Sequence, residues 1–344
     1  MKHFLLIAAV GVCSGGAFGQ TIDPYYNCAY TYSSLGLVPG VPANFGGLVF
    51  KHDDPNTLLI GGAANQAGAN IYAVQVVRDA ENQITGWGGT ATVFASAPNI
   101  DGGLCYGPDD VLFFSRYSMN ALGQIKPGSV APDRNIDLTP LGFTSSVGAL
   151  MVVPQGFPGA GRLKVLPYNS GRWHDAVLTP DGNGTFDVSA PLTDYFLGGG
   201  PEGIVYVEAG ASLFPFASVL ISEYSSGLVV SYEVDSNGDP IAATRRVFIS
   251  GLSGAEGGTR DPLTGDFLFS TFGGASGVIV VRGFTPDCDV PANINRDCAL
   301  DFFDVQLFLS SFAAGDLLAD FVPDGVLNFF DVQAFLTSFS GGCN

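Results

Sequence analysis

The sequence predicts a mainly β protein that ends in a small all-α domain, and three observations carry this prediction. Glycine makes up 47 of the 344 residues, whereas long stretches rich in alanine, glutamate and lysine are missing. Short runs of valine, leucine, phenylalanine and tyrosine alternate with turn residues, which is typical of many short strands. After residue 285 glycine becomes rarer, and phenylalanine, aspartate and leucine take over. We therefore expect a β domain over residues 20–285 and a helical domain over residues 286–344.

The first 19 residues have the features of a secretory signal peptide. Met1-Lys2-His3 provides a basic start, the apolar run Phe4 to Val12 follows, and small residues precede a predicted cleavage site before Gln20. Lipid attachment at Cys13 is the alternative, although Val12 stands where that signal requires a small residue. No later run reaches the ~18 apolar residues of a membrane helix. We therefore expect an exported protein without a transmembrane segment, either extracellular or associated with the cell surface.

The charge and histidine content exclude two classes of site. The formal net charge is −18, with only 14 lysine and arginine residues. Because binding to nucleic acid phosphates requires clustered cations, we exclude a nucleic-acid-binding function. After the signal peptide the sequence contains two histidines, His52 and His174, which are too few for a histidine-rich metal centre.

Residues 20–285 contain a strand signature that recurs with a long period. The aligned small residues at 47, 103, 149, 203 and 257 lie 56, 46, 54 and 54 positions apart. A period of this length with several strand-like runs per repeat is typical of a β-propeller. Five blades are visible and a sixth could be hidden, and we expect the strand around Cys28 to Leu37 to join the last blade and close the ring. A two-sheet sandwich is the second interpretation, but it would not produce this period.

The C-terminal domain over residues 286–344, which we call the tail, contains two twelve-residue segments with the spacing of calcium-binding loops. Residues 293–304 and 320–331 both carry oxygen-bearing side chains at positions 1, 5, 9 and 12, and the repeat length is 27 residues. Calcium prefers such hard oxygen ligands, and an acidic residue at position 12 ties the loop to the helix that follows. We therefore expect metal binding and folding of the tail to be coupled.

A helix is expected after each loop. The sequences 302–312 and 329–339 are identical at nine of eleven positions, so the two helices are near copies. Two i,i+4 pairs form the apolar stripe of the first helix, namely Val305 with Leu309 and Phe308 with Phe312. We expect the two helices to bury these stripes against each other.

The duplicated loop–helix pattern over residues 287–344 resembles type I dockerin domains, in particular the dockerin-like tails that end in Gly-Cys on exported bacterial proteins. The resemblance implies one or two bound Ca²⁺ ions. It also implies a ligand set in each loop, which is Asn293, Asn295, Asp297, Asp301, Asp304 and the Ala299 carbonyl in the first, and Asp320, Asp324, Asn328, Asp331 and the Val326 carbonyl in the second. Two positions depart from the family: Val322 has no side-chain oxygen at position 3, and Cys298 replaces the glycine of position 6.

Positions 10 and 11 of each loop help dockerins to select their cohesin partner. Here these positions are Phe302-Phe303 and Phe329-Phe330. The resemblance therefore implies that the four side chains contact a protein, either cohesin-like or another envelope or secreted protein. The alternative is that one phenylalanine of each pair packs in the core of the tail.

Removal of the signal peptide would leave five cysteines, so at least one thiol is unpaired or pairs with another molecule in an oxidising compartment. Cys288 and Cys343 flank the tail, and a disulfide between them would clamp its ends. Such a bridge would contribute roughly 4 kcal/mol in the chain-entropy model. Pairing of Cys28 with Cys105 is a weaker expectation, because Cys105 lies in an apolar strand and could simply be buried.

Three acidic residues mark a possible site on the propeller. Glu202 and Glu256 occupy the same repeat position just before the expected innermost strands, and Asp101 lies one residue off. Such positions converge at the mouth of a propeller channel, where ligands usually bind. The Glu202-Gly203 strand start is similar to that of the calcium-dependent lactonase propellers, in which a matching glutamate holds the metal. The alternative is that these acids cap amides at the strand starts or are solvated in the channel.

Three functions are compatible with these patterns, and the sequence favours the first, which is not an enzyme. The first is an exported, non-catalytic calcium-binding protein, whose dockerin-like tail anchors a propeller to a surface or secreted partner. The second is a polysaccharide-processing or metal-dependent lactone-hydrolysing enzyme with its site at Asp101, Glu202 and Glu256, which would bind a carbohydrate or another small ligand. The third is a purely structural envelope component.

Overall fold

The computed structural model describes residues 19–273, 277–283, 290–295 and 300–342. In these residues the chain forms a five-bladed β-propeller followed by two α-helices. The predicted propeller is therefore confirmed with five blades, and the sandwich interpretation is wrong. No helix in the described part of the chain is long and apolar enough to span a membrane. Residues 1–18, which hold most of the predicted signal peptide, lie outside the described residues.

Two N-terminal strands, β1 (Thr21–Ile22) and β2 (Thr31–Gly36), precede the blades. Blade 1 consists of β3 (Leu48–Lys51), β4 (Asp54–Gly62), β5 (Asn70–Arg78), β6 (Ile84–Trp87) and β7 (Thr92–Ser96). Blade 2 consists of β8 (Ile100–Tyr106), β9 (Leu112–Arg116), β10 (Ala121–Ile125) and β11 (Arg134–Asp137). Blade 3 consists of β12 (Val147–Val152), β13 (Leu163–Pro167), β14 (Arg172–Ala176) and β17 (Thr193–Phe196), with an inserted hairpin of β15 (Leu178–Pro180) and β16 (Phe186–Val188). Blade 4 consists of β18 (Pro201–Val207), β19 (Ser218–Glu223), β20 (Leu228–Glu233) and β21 (Arg246–Ser250), and blade 5 contains β22 (Ala255–Arg260), β23 (Phe267–Thr271) and β24 (Val278–Arg282).

Each blade is an antiparallel sheet whose first strand lies at the centre of the propeller. The first strands β3, β8, β12, β18 and β22 contact one another around the central channel. These strands are covered on both faces, and β18 is buried at all seven of its residues. A polar side chain in such a strand is therefore forced into the interior, which is the position of Glu202.

The N-terminal segment closes the ring. Strand β2 pairs antiparallel with β24 and becomes the outer strand of blade 5, as the sequence predicted for the stretch around Cys28 to Leu37. Strand β1 pairs with β21 and adds a fifth strand to blade 4, which the sequence did not predict. Between the two strands Tyr26 and Tyr30 are buried against Phe214 and Phe248. The first residues of the propeller thus connect its last two blades.

The channel is narrow because the first strands carry glycine where they approach one another. A Cβ atom at Gly102 would lie 1.9 Å from the carbonyl oxygen of Glu202 in blade 4. A Cβ atom at Gly257 would lie 2.6 Å from the Cα atom of Gly47 in blade 1. The glycines that recur in the sequence therefore mark close contacts between backbones rather than turns.

The tail contains α1 (Phe302–Ala314) and α2 (Phe329–Gly341). Both begin with a capping box, in which Asp301 or Asn328 caps the helix. The helices pack through Phe308 and Phe335, whose rings are stacked with centroids 4.1 Å apart. Most of the predicted stripe contributes to this core, but Leu309 is 56% exposed, so its inclusion was wrong.

The structure tests one of the two predicted disulfides and leaves the other outside the described residues. Cys105 is a buried free thiol, so the predicted pairing of Cys28 with Cys105 is wrong. Cys28 is disulfide-bonded. Cys288 and Cys343 also lie outside the described residues.

Candidate metal-binding site at the channel mouth

The three acidic residues from the repeat pattern lie together at one end of the channel. Asp101, Glu202 and Glu256 each offer a carboxylate oxygen, and the three oxygens lie within 4.8 Å of one another. Among the described residues this is the one group of three acidic, histidine or cysteine side chains that approach so closely. The three residues are 1%, 4% and 1% exposed, respectively. Blades 2, 4 and 5 therefore bring their acids to one buried point.

The strand starts explain why these side chains converge. Each acid is the second residue of its innermost strand, and the pairing of that strand with the next shifts register just there. Such bulges re-aim side chains, often next to functional sites. In blade 2 the register shift contains one residue more than in blades 4 and 5, so Asp101 lies two residues before its aligned glycine, whereas Glu202 and Glu256 lie one residue before theirs. The predicted offset of Asp101 by one residue is therefore confirmed, and the longer bulge brings its side chain to the same point. In blade 3 the position is Gly148, where a Cβ atom would lie 2.5 Å from Oε2 of Glu202, so a larger residue would displace that carboxylate.

Several oxygens of this group lack hydrogen-bond partners. Both carboxylate oxygens of Asp101, Oε2 of Glu202 and Oε1 of Glu256 are buried without a donor. Oδ1 of Asn65, which lines the same cavity, is also buried and unpartnered. Within the described residues no lysine, arginine or histidine forms an ion pair with the three acids. The negative charge of this group therefore has no counterion in the part of the chain that the structure describes.

Burial dominates the electrostatics of the group. Loss of water contact raises the pKa of Asp101 to about 7. Burial, reinforced by the negative charges of its neighbours, holds the pKa of Glu202 well above its usual value, and the pKa of Glu256 is raised for the same reasons. A nearby cation would reverse this effect because it stabilises the charged form of a carboxylate.

The donor set fits a hard divalent cation. Carboxylate and amide oxygens suit Ca²⁺, Mg²⁺ and Mn²⁺, whereas the absence of histidine and cysteine from this group disfavours zinc. A Ca–O bond is about 2.3–2.6 Å, so two ligands of one Ca²⁺ ion lie at most about 5 Å apart. The three carboxylates meet that limit at 4.8 Å. Asp101, Glu202, Glu256 and Asn65 are therefore the residues that could hold such an ion.

Aromatic side chains surround the acids. The cavity at this end of the channel has a volume of about 130 Å³ and is lined by the three acids, Asn65 and four aromatic residues, Tyr117, Tyr168, Tyr224 and Phe272. The sequence analysis missed the aromatic residues and Asn65. A signal was present for the aromatic residues, because each follows the second strand of its repeat directly. Asn65 has no counterpart at that position in the other blades, so the repeat pattern could not reveal it.

In the two tail loops, the predicted calcium ligands at positions 1 and 12 have carboxylate or amide oxygens that are available to a metal ion. At position 1 of each loop, Oδ1 of Asn293 and Oδ1 of Asp320 are buried without a hydrogen-bond partner. At position 12, Asp304 and Asp331 are fully buried and accept backbone N–H groups of their own loops. Each carboxylate oxygen has further lone pairs, so these hydrogen bonds leave room for a metal.

The remaining predicted ligands have other contacts or lie outside the described residues. The Asn328 side chain donates to the Val326 carbonyl at 3.1 Å, and Asp324 accepts the Val326 N–H at 2.8 Å. Asp301 caps α1, and the backbone N–H of Asn295 donates to Asp304. Asp297 and Ala299 lie outside the described residues.

The four predicted partner-binding phenylalanines are all exposed. Phe302 and Phe303 are the first two residues of α1, and Phe329 and Phe330 are the first two residues of α2. Their exposed fractions are 70%, 62%, 72% and 63%, respectively. The alternative that one phenylalanine of each pair packs in the core is therefore wrong. The core is built instead from Phe308, Phe335 and their neighbours.

Comparisons with known proteins give low similarity throughout. No family model and no curated protein matches the chain. A candidate 6-phosphogluconolactonase from Bacteroides uniformis is 14% identical with a TM-score of 0.40, and the match covers 68% of this chain and 66% of that one, less than two thirds. The PQQ-bound aldose sugar dehydrogenase of Streptomyces coelicolor is 16% identical with a TM-score of 0.39 over 72% of this chain and 83% of that one. The pyranose dehydrogenase PQQ domain of Coprinopsis cinerea is 9% identical with a TM-score of 0.40 over 78% and 99%.

Proposed function

We propose that this protein is a metal-dependent enzyme whose active site is the channel mouth of the propeller. Asp101, Glu202 and Glu256 would hold a divalent cation, with Ca²⁺ as the best fit, and the reaction would be hydrolysis of a lactone. The observation that carries the proposal is that the carboxylates of all three residues are buried, unpartnered and close enough to share one ion. The similarity of the Glu202-Gly203 strand start to lactonase propellers favours the same reaction class.

The chemistry would be divided between the ion and the chain. When bound, a divalent cation would polarise the carbonyl of a lactone. The three carboxylates would hold the ion, and the Asn65 amide oxygen would add a neutral ligand. Asp101 has two unpartnered oxygens, so one of them could accept a proton from the water that attacks the lactone carbonyl and return it to the ring oxygen when the ring C–O bond breaks. The half-buried aromatic side chains around the cavity reduce its contact with solvent.

This function accounts for the acids better than a non-catalytic role does. Burial of a charged group without a partner is costly, and three such groups side by side repel one another. A propeller that served only as a scaffold would gain nothing from them. Strongly perturbed acids in a cavity are typical of functional sites.

The metal site can be tested with terbium, which replaces calcium and emits when tyrosine or tryptophan transfers energy to it. All 12 tyrosines and both tryptophans lie between residues 25 and 232, so emission from the full chain reports on the propeller and not on the tail. We expect sensitised emission from the wild type. We expect Glu202→Gln to weaken terbium binding by at least the ~10–100-fold that loss of an outer-shell partner costs.

A matched control is Glu208→Gln, because Glu208 is an exposed glutamate in the same blade region that pairs with Arg260. This variant should bind terbium like the wild type. Unchanged terbium binding in Glu202→Gln would remove the proposed metal site. Calcium-dependent hydrolysis of a panel of sugar lactones, lost in Glu202→Gln, is the corresponding test of the reaction.

We further propose that the tail is a calcium-dependent docking domain, as the dockerin resemblance implies, and that the chain is exported. The unpartnered position-1 oxygens of Asn293 and Asp320 favour calcium sites in both loops. The four exposed phenylalanines favour a protein partner, cohesin-like or from the envelope or secreted fraction. The tail would then deliver the propeller to that partner.

Calcium binding by the tail can be separated from the propeller by calorimetry in the Glu202→Gln background. Addition of Asp320→Ala should remove binding at the second loop, because it deletes a buried unpartnered oxygen. Asp316→Asn is the control, since Asp316 caps the short helix before the loop and is not a predicted ligand. If Asp320→Ala and Asp316→Asn bind calcium equally, the second loop is not a calcium site.

A further inference from the structure

The four aromatic residues at the channel mouth occupy equivalent positions in blades 2 to 5. Tyr117, Tyr168, Tyr224 and Phe272 each directly follow the second strand of their blade. Each also donates its backbone N–H to the carbonyl of the residue that precedes the first strand of the same blade, namely Asn99, Ser146, Gly200 and Gly254, respectively. The same local geometry thus places an aromatic side chain at the mouth four times.

Neighbouring members of this set are in contact. The ring centroids of Tyr117 and Tyr168 are 5.8 Å apart, those of Tyr168 and Tyr224 are 5.7 Å apart, and those of Tyr224 and Phe272 are 6.0 Å apart. All three pairs are edge-to-face, which is a favourable arrangement for aromatic rings. The four residues therefore form a continuous arc, which we call the collar.

The collar is open at blade 1. The residue that directly follows the second strand there is Ala63, which cannot contribute a ring. Asn65 lies two residues further along, and its unpartnered Oδ1 lines the same cavity as the acids. The mouth thus has an apolar wall on four blades and a polar opening on the fifth.

We propose that the collar selects one hydroxylated ring of monosaccharide size as the ligand of the carboxylate site. The cavity of about 130 Å³ is close to the ~150 Å³ of an apolar cavity that holds a benzene ring. Aromatic faces bind the C–H faces of a sugar ring, and the acids beneath bind its oxygens through the cation. This inference rests on the proposed function, because it takes Asp101, Glu202 and Glu256 as the cation site.

The size of the site also separates two substrate classes. Pockets for larger ligands usually measure ~300–1,000 Å³, well above this cavity. A small cyclic molecule therefore fits the site better than an internal segment of a polymer.

Tyr168 is the residue to test, because it is the middle of the arc and contacts both Tyr117 and Tyr224. In the full chain with calcium, saturation-transfer NMR would measure binding of three probes before any lactone is appreciably hydrolysed: D-galactono-1,4-lactone, the open-chain polyol sorbitol and the trisaccharide maltotriose. We expect the lactone to bind more tightly than the other two. We expect Tyr168→Leu to weaken lactone binding by about three- to tenfold, the equivalent of one aromatic contact. Tyr168→Phe should bind the lactone like the wild type.

Terbium emission distinguishes failure of the collar from failure of the cation site, because Tyr117 and Tyr224 remain as sensitisers in both variants. If Tyr168→Leu binds terbium normally and still binds the lactone like the wild type, the collar does not select the ligand. If sorbitol or maltotriose binds as tightly as the lactone, selection of a single ring is excluded. If the wild type shows no sensitised emission, the proposed cation site itself fails.

Discussion

At the scale of single residues, the glycines of the innermost strands set the width of the channel. Gly102 has an ordinary backbone conformation, so its role is not the left-handed geometry that often requires glycine. Its importance is steric, since an added Cβ atom would meet the backbone carbonyl of Glu202 at 1.9 Å. A backbone atom cannot rotate away as a side chain can. The two strands that carry Asp101 and Glu202 would therefore have to separate.

We predict that Gly102→Ala destabilises the propeller by about 1–3 kcal/mol, the usual cost of overpacking. The matched control is Gly86→Ala in β6, where an added Cβ atom meets nothing within 4 Å. That control should be neutral or stabilising by about 0.5–1 kcal/mol, because alanine restricts the unfolded chain. Urea unfolding followed by tryptophan fluorescence reports on the propeller alone, since Trp87 and Trp173 are the two tryptophans of the chain. Equal stabilities for the two variants would contradict the steric explanation.

At the scale of the elements, the repeat pattern predicted what recurs in every blade and missed what occurs in one. The innermost strands could be located because a glycine-containing apolar run returns in each repeat, and this also led to Glu202 and Glu256. The inserted hairpin of β15 and β16 belongs to blade 3 alone, so it does not recur in the sequence and the repeat pattern could not predict it. The role of Asn65 in the cavity was not predicted for the same reason, because Asn65 follows β4 in blade 1 and has no counterpart in the other blades. The convergence of three acids on one point is a property of the closed ring, which spacing along the chain does not contain.

For the tail helices, the sequence predicted the helices correctly but not every residue on their buried face. The duplicated sequence was enough to predict two equal helices, and the i,i+4 pattern identified Phe308 as core. The same pattern placed Leu309 on the buried face, where the structure exposes it. A 13-residue helix that packs against one partner buries a narrow strip, and the stacked pair of Phe308 and Phe335 already fills it. The apolar residues left outside that strip, including both phenylalanine pairs, are available to a partner.

At the scale of the whole molecule, closure of the ring makes distant parts of the chain depend on one another. Open repeat arrays can unfold locally from their ends, because each repeat contacts only its neighbours. Here the N-terminal segment adds β1 to blade 4 and β2 to blade 5, so the last blades of the array are joined and its end is not free. Tyr26 lies between these strands, where its ring stacks on Phe214 at 5.2 Å and its hydroxyl bonds to Ser231 at 2.9 Å. A change at this residue therefore tests whether closure stabilises the entire ring.

We predict that Tyr26→Ala destabilises the whole propeller by about 3–5 kcal/mol, as expected for truncation of a buried aromatic side chain. The adjacent Tyr25 is 42% exposed and lies over the guanidinium of Arg246, so Tyr25→Ala should cost only about 0.5–1 kcal/mol. Trp173 lies in blade 3, away from the substitution, whereas Trp87 donates its Nε1–H to the Leu35 carbonyl of β2 at 3.0 Å. In a Trp87→Phe background, the urea transition of Trp173 should nevertheless move to lower denaturant in Tyr26→Ala. If the blades unfolded independently, the backbone amides of β21 and β24 would exchange faster in Tyr26→Ala, while the urea transition seen by tryptophan fluorescence would not change. That result would contradict the prediction. A shift of both signals together means that the N-terminal segment holds the five first strands, and with them the three carboxylates, in one cooperative unit.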